Sequence, residues 1–533
     1  MISSDELLGA NAFPLTIAEV WRERCEKTPD HIFVAQADQQ LTYHEFDQLS
    51  DQAVAFLDQQ QLVAGDVVAI QMATCLTSVQ LMIACLKRQL TILPLNPHLD
   101  QEEALALIGR FQPNLIVTQA DGRNSLSFEN ISQIGYMANH TKLTSVPLIT
   151  LSSAQRQTNH SADQVQPVVI LCTSGTTSFA KGVMLSNQNV LYSELQFNRI
   201  YGITATDVLV LPSGFYHAIG FHHGLVSTIL AGSSMVLMQH YSVAGLHRLI
   251  DRYHCTYLVT VPTVIYDVLN WYQRPSSLTR VISGGARLDD DLMMAAKAVQ
   301  LPIYNIYGLT ESAPFLCTSP AYFKMKQAET TAGYPIDGVQ VKLIDEQQRE
   351  IKQTDRIGQI IVRGPVVFQG YYRDTVETQK ALNVDGWFQT GDLGHWNHDS
   401  ALEIDGRSKD MIIRGGENIS TYIVERELRR HPGIKEAAVV GLKNRRLGEI
   451  IGAFIIMQPD YVPLSLDQIK KFFAENHMAK KFWPEKVVVV TDFPMTSSGK
   501  IKKHLLIKMV EHGCLNDVKP VLQHVSGDNG WGR

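Results

Sequence analysis

The stretch "TRVISGGARLDDDLMMAAKAVQLPIYNIYG", residues 279–308, decides the fold class. It opens on a short apolar run that ends in two glycines. An amphipathic stretch, 289–300, follows, and a second apolar run ends at Gly308. A strand, a helix and a strand of these lengths predict a βαβ unit, whose two strands run parallel. The alternation continues outward. "VVILCT" (168–173), "DVLVLP" (207–212), "SMVLM" (234–238) and "TYLVTVP" (256–262) are apolar runs, and "GLVSTILAG" (224–232) is another. "QNVLYSELQFNRIY" (188–201) and "AGLHRLIDRYH" (244–254) read as helices between them. Such a series predicts parallel sheets covered by helices, with ligands beyond the carboxyl ends of the strands.

The character changes after about residue 400. "ALEIDGR" and "DMIIRGG" read as short strands, and "TYIVERELRRH" as a helix. "EAAVVGL" and "EIIGAFIIM" read as strands, and "LSLDQIKKFFAENH" as a helix. The expected organisation is an α/β domain over 1–406, a connection at 407–410, a small α+β domain over 411–515 and a polar tail over 516–533.

Bulk properties exclude several function classes. The 533 residues carry a net charge of −6, with 45% hydrophobic and 19% charged residues. That balance gives no global attraction to nucleic acid. No apolar run approaches the roughly 20 residues of a membrane span. Asp5 and Glu6 stand where a signal peptide needs basic residues. Seven scattered cysteines without a CxxC pair predict reduced thiols and a cytoplasmic protein.

Four stretches carry chemistry. "ILCTSGTTSFAKGVMLS" (170–186) places Thr173, Ser174, Gly175, Thr176, Thr177 and Lys181 in one loop after a strand. Small donors and one cation suit a polyphosphate, although Gly182 after the lysine departs from a Walker A motif. In "YNIYGLTESAP" (304–314), Tyr307 offers a ring for stacking, Thr310 a hydroxyl for phosphate and Glu311 an oxygen ligand for Mg²⁺. In "DGWFQTGDLGHW" (385–396) and "EIDGRSKDMIIRGGENIS" (403–420), Asp392 and Arg407 suit ribose hydroxyls, one as acceptor and one as donor. In "PMTSSGKIKKHLL" (494–506), Lys500 sits on a glycine-containing loop before a helix. Each stretch alone is also readable as an ordinary turn.

Together and in this order, the four stretches resemble the adenylate-forming (AMP-binding) superfamily. Its members include acyl-CoA synthetases, aryl-CoA ligases, luciferases and peptide-synthetase adenylation domains. The resemblance runs from "LTYHEF" (41–46) and "LPLNPHL" (93–99) to "SSGKIKK" (497–503). It implies a large N-terminal domain of βα subdomains with mixed and parallel sheets, plus a small mobile C-terminal lid. It assigns Thr173 to Lys181 to the pyrophosphate of ATP, and Gly284, Gly285 and Ala286 to a wall beside adenine and the acyl group. Tyr307 would stack on adenine, Thr310 would contact the α-phosphate and Glu311 would hold Mg²⁺. Asp392 and Arg407 would bind ribose, Lys409 would be the hinge, and Lys500 would bridge the α-phosphate and the carboxylate. His217 in "GFYHAIGFHHG" (214–224) would line or gate the acid pocket, with Phe215 beside it. Four positions depart from the family's usual residues: Ser178, Ala180, Asn187 and Thr421.

The implied reaction activates a carboxylic acid as an acyl-AMP and passes the acyl group to a thiol. The expected acceptor is coenzyme A, as in an acyl- or aryl-CoA synthetase. The alternative is the phosphopantetheine of a carrier protein acting in trans. No "FD" pair stands where amino-acid-activating members hold an ammonium group, so an apolar acid is expected. A non-enzymatic homologue is disfavoured by the presence of both Glu311 and Lys500. The histidines 217, 222 and 223 lack a recognised metal-ligand spacing.

Overall fold

A computed structural model describes residues 16–118, 132–133, 148–150, 165–173, 180–273, 276–288, 290–319, 331–415, 417–495 and 501–511. The βαβ expectation for 279–308 holds. Arg280–Ser283 and Ile303–Tyr307 are parallel neighbours, joined through the helix Asp290–Ala298. The parallel run continues through Tyr257–Thr260, Val208–Leu211, Ser234–Leu237 and Ile32–Gln36. Its central strands are buried along their length, as parallel strands covered on both faces must be.

Beyond Ile303–Tyr307 the same sheet turns antiparallel. Cys317–Thr318, Thr331–Pro335, Leu402–Arg407, Phe388–Trp396, Gly358–Arg363 and Gln340–Ile344 follow in that spatial order. A second sheet has Val67–Gln71 at its centre, with Thr91–Leu95, Leu115–Thr118 and Val169–Cys172 parallel. Gly182–Leu185 returns antiparallel to Val169–Cys172, and Gly370–Tyr371 pairs onto it. The helix Leu76–Lys87 packs on this sheet and is buried from Leu76 to Leu86. Its sequence has no charged face before Lys87, which is what an interior helix requires.

The helix Asn187–Tyr201 bears directly on the site. Its start is set by Ser186, whose hydroxyl accepts the Asn189 amide at 3.1 Å. Its end is set by Gly202 at φ +61°, a left-handed cap. "GLVSTILAG" belongs to one continuous helical run: a π-helical segment, Ile219–Val226, passes into the α-helix Ser227–Ala231.

A separate sheet holds Met411–Arg414, Glu417–Ser420, Ile434–Asn444, Gly448–Met457 and Lys486–Val489. It packs against Thr421–Arg429 and Leu466–Glu475 around Ile412, Val424, Leu428, Ile451 and Phe473. The chain is therefore a large α/β domain followed by a smaller α+β domain. The first two strands after residue 400 belong to different sheets. Leu402–Arg407 stays in the large sheet because Leu402 packs in that domain's core, whereas Ile412 packs in the small one. The turn Ser408–Asp410 joins them. Among the described residues no helix is long and apolar enough to cross a membrane.

Candidate active site

The carboxyl ends of the parallel strands gather most of the predicted residues. Gly284 and Gly285 follow the strand Arg280–Ser283. A Cβ on Gly284 would lie 2.8 Å from Ile306 Cγ1, and Gly285 has φ +80°. Packing demands the first glycine and backbone conformation the second. Gly285 and Ala286 are exposed, so this edge presents a bare backbone surface.

Tyr307 ends the next strand, and the chain then closes a tight turn. A Cβ on Gly308 would sit 1.9 Å from the Pro314 carbonyl oxygen. Ser312 clamps the turn from inside: its hydroxyl accepts the Leu309 amide at 2.9 Å and donates to the Leu309 carbonyl at 3.0 Å. Ala313 completes it in the left-handed region, φ +47°, which disfavours a residue with a side chain by about 1 kcal/mol. Thr310 and Glu311 lie on this turn. Gly308→Ala forces the two backbone strands of the turn apart. We expect a loss of about 3 kcal/mol or more in denaturant unfolding, with activity falling alongside; an unchanged midpoint would contradict the close approach.

Asp392 and Arg407 are cross-strand partners in the antiparallel pair Phe388–Trp396 and Leu402–Arg407. That register puts both side chains on one spot. Arg407 Nε lies 3.0 Å from Asp392 Oδ1, and the Tyr307 hydroxyl donates to Asp392 Oδ2 at 2.8 Å. Burial, reinforced by the Asp392 carboxylate, pushes the Tyr307 hydroxyl well above its ordinary pKa, so it remains a donor. Lys409 lies in the Ser408–Asp410 turn two residues on.

The opposite flank is built on the second sheet. Thr173 and Lys181 close the base of the hydroxyl-rich loop: the Thr173 amide donates to the Lys181 carbonyl at 2.9 Å, and the Lys181 amide to the Thr173 hydroxyl at 3.2 Å. Ser174, Gly175, Thr176, Thr177 and Ser178 lie outside the described residues, as does Lys500. The Lys181 ammonium pairs with Glu377 and lies 4.6 Å from the Tyr371 ring centroid. The Tyr371 hydroxyl donates to Glu311 Oε1 at 2.9 Å. Burial raises the Glu311 carboxyl above its ordinary pKa, and the Tyr371 hydrogen bond offsets part of that. A carboxylate held in this way gains from a nearby cation. The all-oxygen donor fits a hard ion such as Mg²⁺, which binds through one or two carboxylates and keeps waters or phosphates.

The segment expected to wall an acid pocket runs between these sheets. Phe215 is buried in the core and His217 is half-buried, its ring beside that of Tyr216 at 4.4 Å. Gly214 and Tyr216 line a cavity of about 300 Å³ with Ala73, Thr74, Pro97 and His98. His222 is a core residue: burial lowers its pKa to about 3, and its Nδ1 lies 3.2 Å from the Ala218 carbonyl. Among the described residues no group of three or more metal-ligating side chains forms.

The sequence profile of the AMP-binding enzymes matches residues 21–372, and that of the AMP-binding enzyme C-terminal domain matches 424–500. This chain belongs to the AMP-binding enzymes. The enzyme is 29% identical over 521 residues to the medium-chain fatty-acid–CoA ligase of Escherichia coli K12, covering 94% of this chain and 92% of that one. It is 25% identical over 485 residues to the 2-succinylbenzoate–CoA ligase of Bacillus subtilis 168, covering 91% and 96%. Among solved structures, ATP-bound MatB from Rhodopseudomonas palustris superposes with a TM-score of 0.78 at 25% identity, covering 93% of this chain and 99% of that one. The o-succinylbenzoate CoA synthetase of Bacillus subtilis with its acyl-adenylate has a TM-score of 0.78 at 24% identity, covering 91% and 97%, and is alike in fold. The expected superfamily and its two-domain α/β architecture are thus borne out.

Two residues of this site carry no signal in the sequence. Tyr371 and Glu377 lie on "GYYRDTVET" (370–378), which carries no phosphate or nucleotide signature of its own. Only the pairing of Gly370–Tyr371 with Gly182–Leu185 brings them to Lys181 and Glu311. Asn187 was noted as a departure. Its side-chain oxygen accepts the Ile17 amide at 2.9 Å, a tie to the helix Ile17–Lys27.

Proposed function

We propose that this enzyme is an ATP-dependent acid–thiol ligase that forms an acyl-adenylate and then an acyl thioester with coenzyme A. The observation that carries the proposal is the joining of Tyr307, Asp392 and Arg407 in one hydrogen-bonded set beside the Glu311–Tyr371–Lys181 set. The first set offers a ring for adenine, an acceptor and a donor for ribose; the second offers a carboxylate and an ammonium for the polyphosphate end. Gly284, Gly285 and Ala286 form the adjoining wall, and Thr173 to Lys181 cradle the β- and γ-phosphates. Mg²⁺ at Glu311 would supply positive charge beside the phosphates. Thr310, on the same turn, contacts the α-phosphate, and Lys500 neutralises the reacting oxygens. Lys409 in the Ser408–Asp410 turn is the hinge about which the domain 411–515 moves relative to 1–406. Relatives named as CoA ligases support coenzyme A over a carrier-protein arm as acceptor.

The acid is an apolar carboxylic acid, aliphatic or aryl, bound beside His217. The segment 214–224 expected to wall the pocket contains no aspartate or glutamate, and a buried ammonium without a partner costs several kcal/mol. ATP–pyrophosphate exchange with matched pairs, hexanoate against norleucine and benzoate against phenylalanine, tests this. The apolar acids should be favoured by roughly a hundredfold, the worth of about 3 kcal/mol. His217→Ala should alter the preference among acids several-fold and leave the KM for ATP unchanged. A preference for the amino acids overturns the substrate class. Thioester formation with a holo-carrier protein but not with coenzyme A overturns the acceptor.

A further inference from the structure

The polar residues buried between the helix Asn187–Tyr201 and the π-helical segment Ile219–Val226 have no part in the chemistry above. Glu194 is fully buried, and so are Ser193 and His223. A carboxylate there must be hydrogen-bonded or it destabilises the core by several kcal/mol. Glu194 Oε2 lies 2.9 Å from His223 Nδ1, and Oε1 lies 3.0 Å from the Ser193 hydroxyl. The Ser193 oxygen also lies within hydrogen-bond reach of the carbonyl of Ala313, so its single proton is shared between that carbonyl and Glu194. His223 is held in place by stacking on Phe197, with centroids 4.1 Å apart and planes 13° apart, and by the edge of Phe315.

This chain of contacts joins three site-bearing pieces of backbone. The helix Asn187–Tyr201 follows the phosphate loop and its return strand Gly182–Leu185. His223 sits six residues after His217, on the segment that follows the acid-pocket residues. Ala313 sits two residues after Glu311, in the left-handed conformation that closes the turn. A strained residue persists only where its surroundings over-determine it. Here the Ser193 hydroxyl meets the carbonyl of that residue, while Tyr371 meets the Glu311 side chain.

We propose that Ser193, Glu194 and His223 are positioning residues: a buried relay that fixes the turn Thr310–Pro314, and with it the Glu311 carboxylate, relative to the acid side of the cleft. The proposal rests on the reading of Glu311 as the ligand of Mg·ATP. Without the relay the turn retains its internal Ser312 hydrogen bonds but not its alignment, and a displacement of about 1 Å suffices to degrade a catalytic geometry.

The helix Asn187–Tyr201 has a second polar tie, to the start of the α-helix Ser227–Ala231, that never touches the turn, and it provides the control. Asn198 Nδ2 donates to the Ser227 carbonyl at 3.0 Å, and the Ser227 hydroxyl donates to Asn198 Oδ1 at 2.6 Å. Calorimetric titration of the full-length enzyme with Mg·ATP, and the Mg²⁺ dependence of ATP–pyrophosphate exchange, compare the two. Ser193→Ala should weaken Mg·ATP binding about fivefold or more and raise the half-saturating Mg²⁺ by a similar factor, with the KM for the acid little changed. Ser193→Thr, which keeps the hydroxyl, should restore the wild-type values, and Glu194→Gln should fall between them. Asn198→Ala should lower the Tm and move neither quantity. If Ser193→Ala behaves as Asn198→Ala does, the cluster serves the core alone and the relay is wrong. A wild-type enzyme that binds no Mg·ATP overturns the functional reading itself, and the relay with it.

Discussion

Lys500→Ala should lower acyl-adenylate formation by about two orders of magnitude or more, and thioester formation from preformed acyl-AMP far less. The first half-reaction brings two anions together, a carboxylate and the α-phosphate of ATP. Attack at phosphorus then depends on alignment and charge neutralisation. At an effective dielectric near 20, one unit pair at 4 Å is worth about 4 kcal/mol, roughly a thousandfold in rate. In the second half-reaction the carboxylate charge is gone and a thiol needs room at the carbonyl. An ammonium has nothing to contribute there, which accounts for a lysine carried on a separate domain. The residues flanking 496–500 are anchored to that domain. Met495 and Ile501 form an antiparallel bridge, the Lys502 amide donates to the Pro494 carbonyl at 2.7 Å, and Lys503 pairs with Glu425 at 2.7 Å. Single-turnover assays of each half-reaction decide the matter. Equal losses in both would remove Lys500 from its assigned role.

What could be read in the sequence follows a physical divide. Residues 279–308 were legible because a buried parallel strand writes an apolar run and a helix between two such strands writes a period near 3.6. The antiparallel extension was not, because Cys317–Thr318 spans two residues and the pairing of Thr331–Pro335 with Leu402–Arg407 crosses some seventy residues of chain. "ALEIDGR" is legible as a strand, but a strand does not announce its partner. Its neighbour Asp392 does, once the register is known.

The site divides in the same way. Tyr307, Thr310, Glu311, Asp392 and Arg407 stood out because ring, hydroxyl, acid and guanidinium clustered in glycine-marked turns. Tyr371 and Glu377 did not, since a tyrosine in a two-residue strand and a glutamate on a short helix are ordinary alone. "QNVLYSELQFNRIY" was legible as a helix, but Ser193, Glu194 and Gln196 look like a solvated face. All three are buried, and Glu194 meets His223, which reverses that meaning. Thr421, a departure from the family's usual proline, accepts from the Lys503 ammonium at 3.1 Å; this hydroxyl helps seat the helix that follows the Lys500 loop.

Glu311→Gln should abolish most activity and at the same time stabilise the unliganded enzyme. Burial raises the Glu311 carboxyl above its ordinary range. A folded-state pKa above the unfolded one means that the folded chain binds the proton more tightly. The stability this group contributes is therefore fully present below the unfolded pKa and is lost as pH rises through the folded one. Glutamine cannot ionise, so it avoids that loss and can still accept the Tyr371 hydroxyl. The variant should show a higher Tm than wild type at pH 7, with the difference vanishing near pH 4. Its amide carries no charge to offset Mg²⁺, and an interaction of about 4 kcal/mol at the reacting centre goes with it. ATP–pyrophosphate exchange should fall by about two orders of magnitude or more. A ligand at a hundred times its Kd stabilises a fold by about 2.7 kcal/mol, so Mg·ATP should raise the Tm of wild type and leave that of Glu311→Gln in place. Retained exchange together with a lowered Tm at pH 7 would show instead that the carboxylate holds the fold and not the nucleotide.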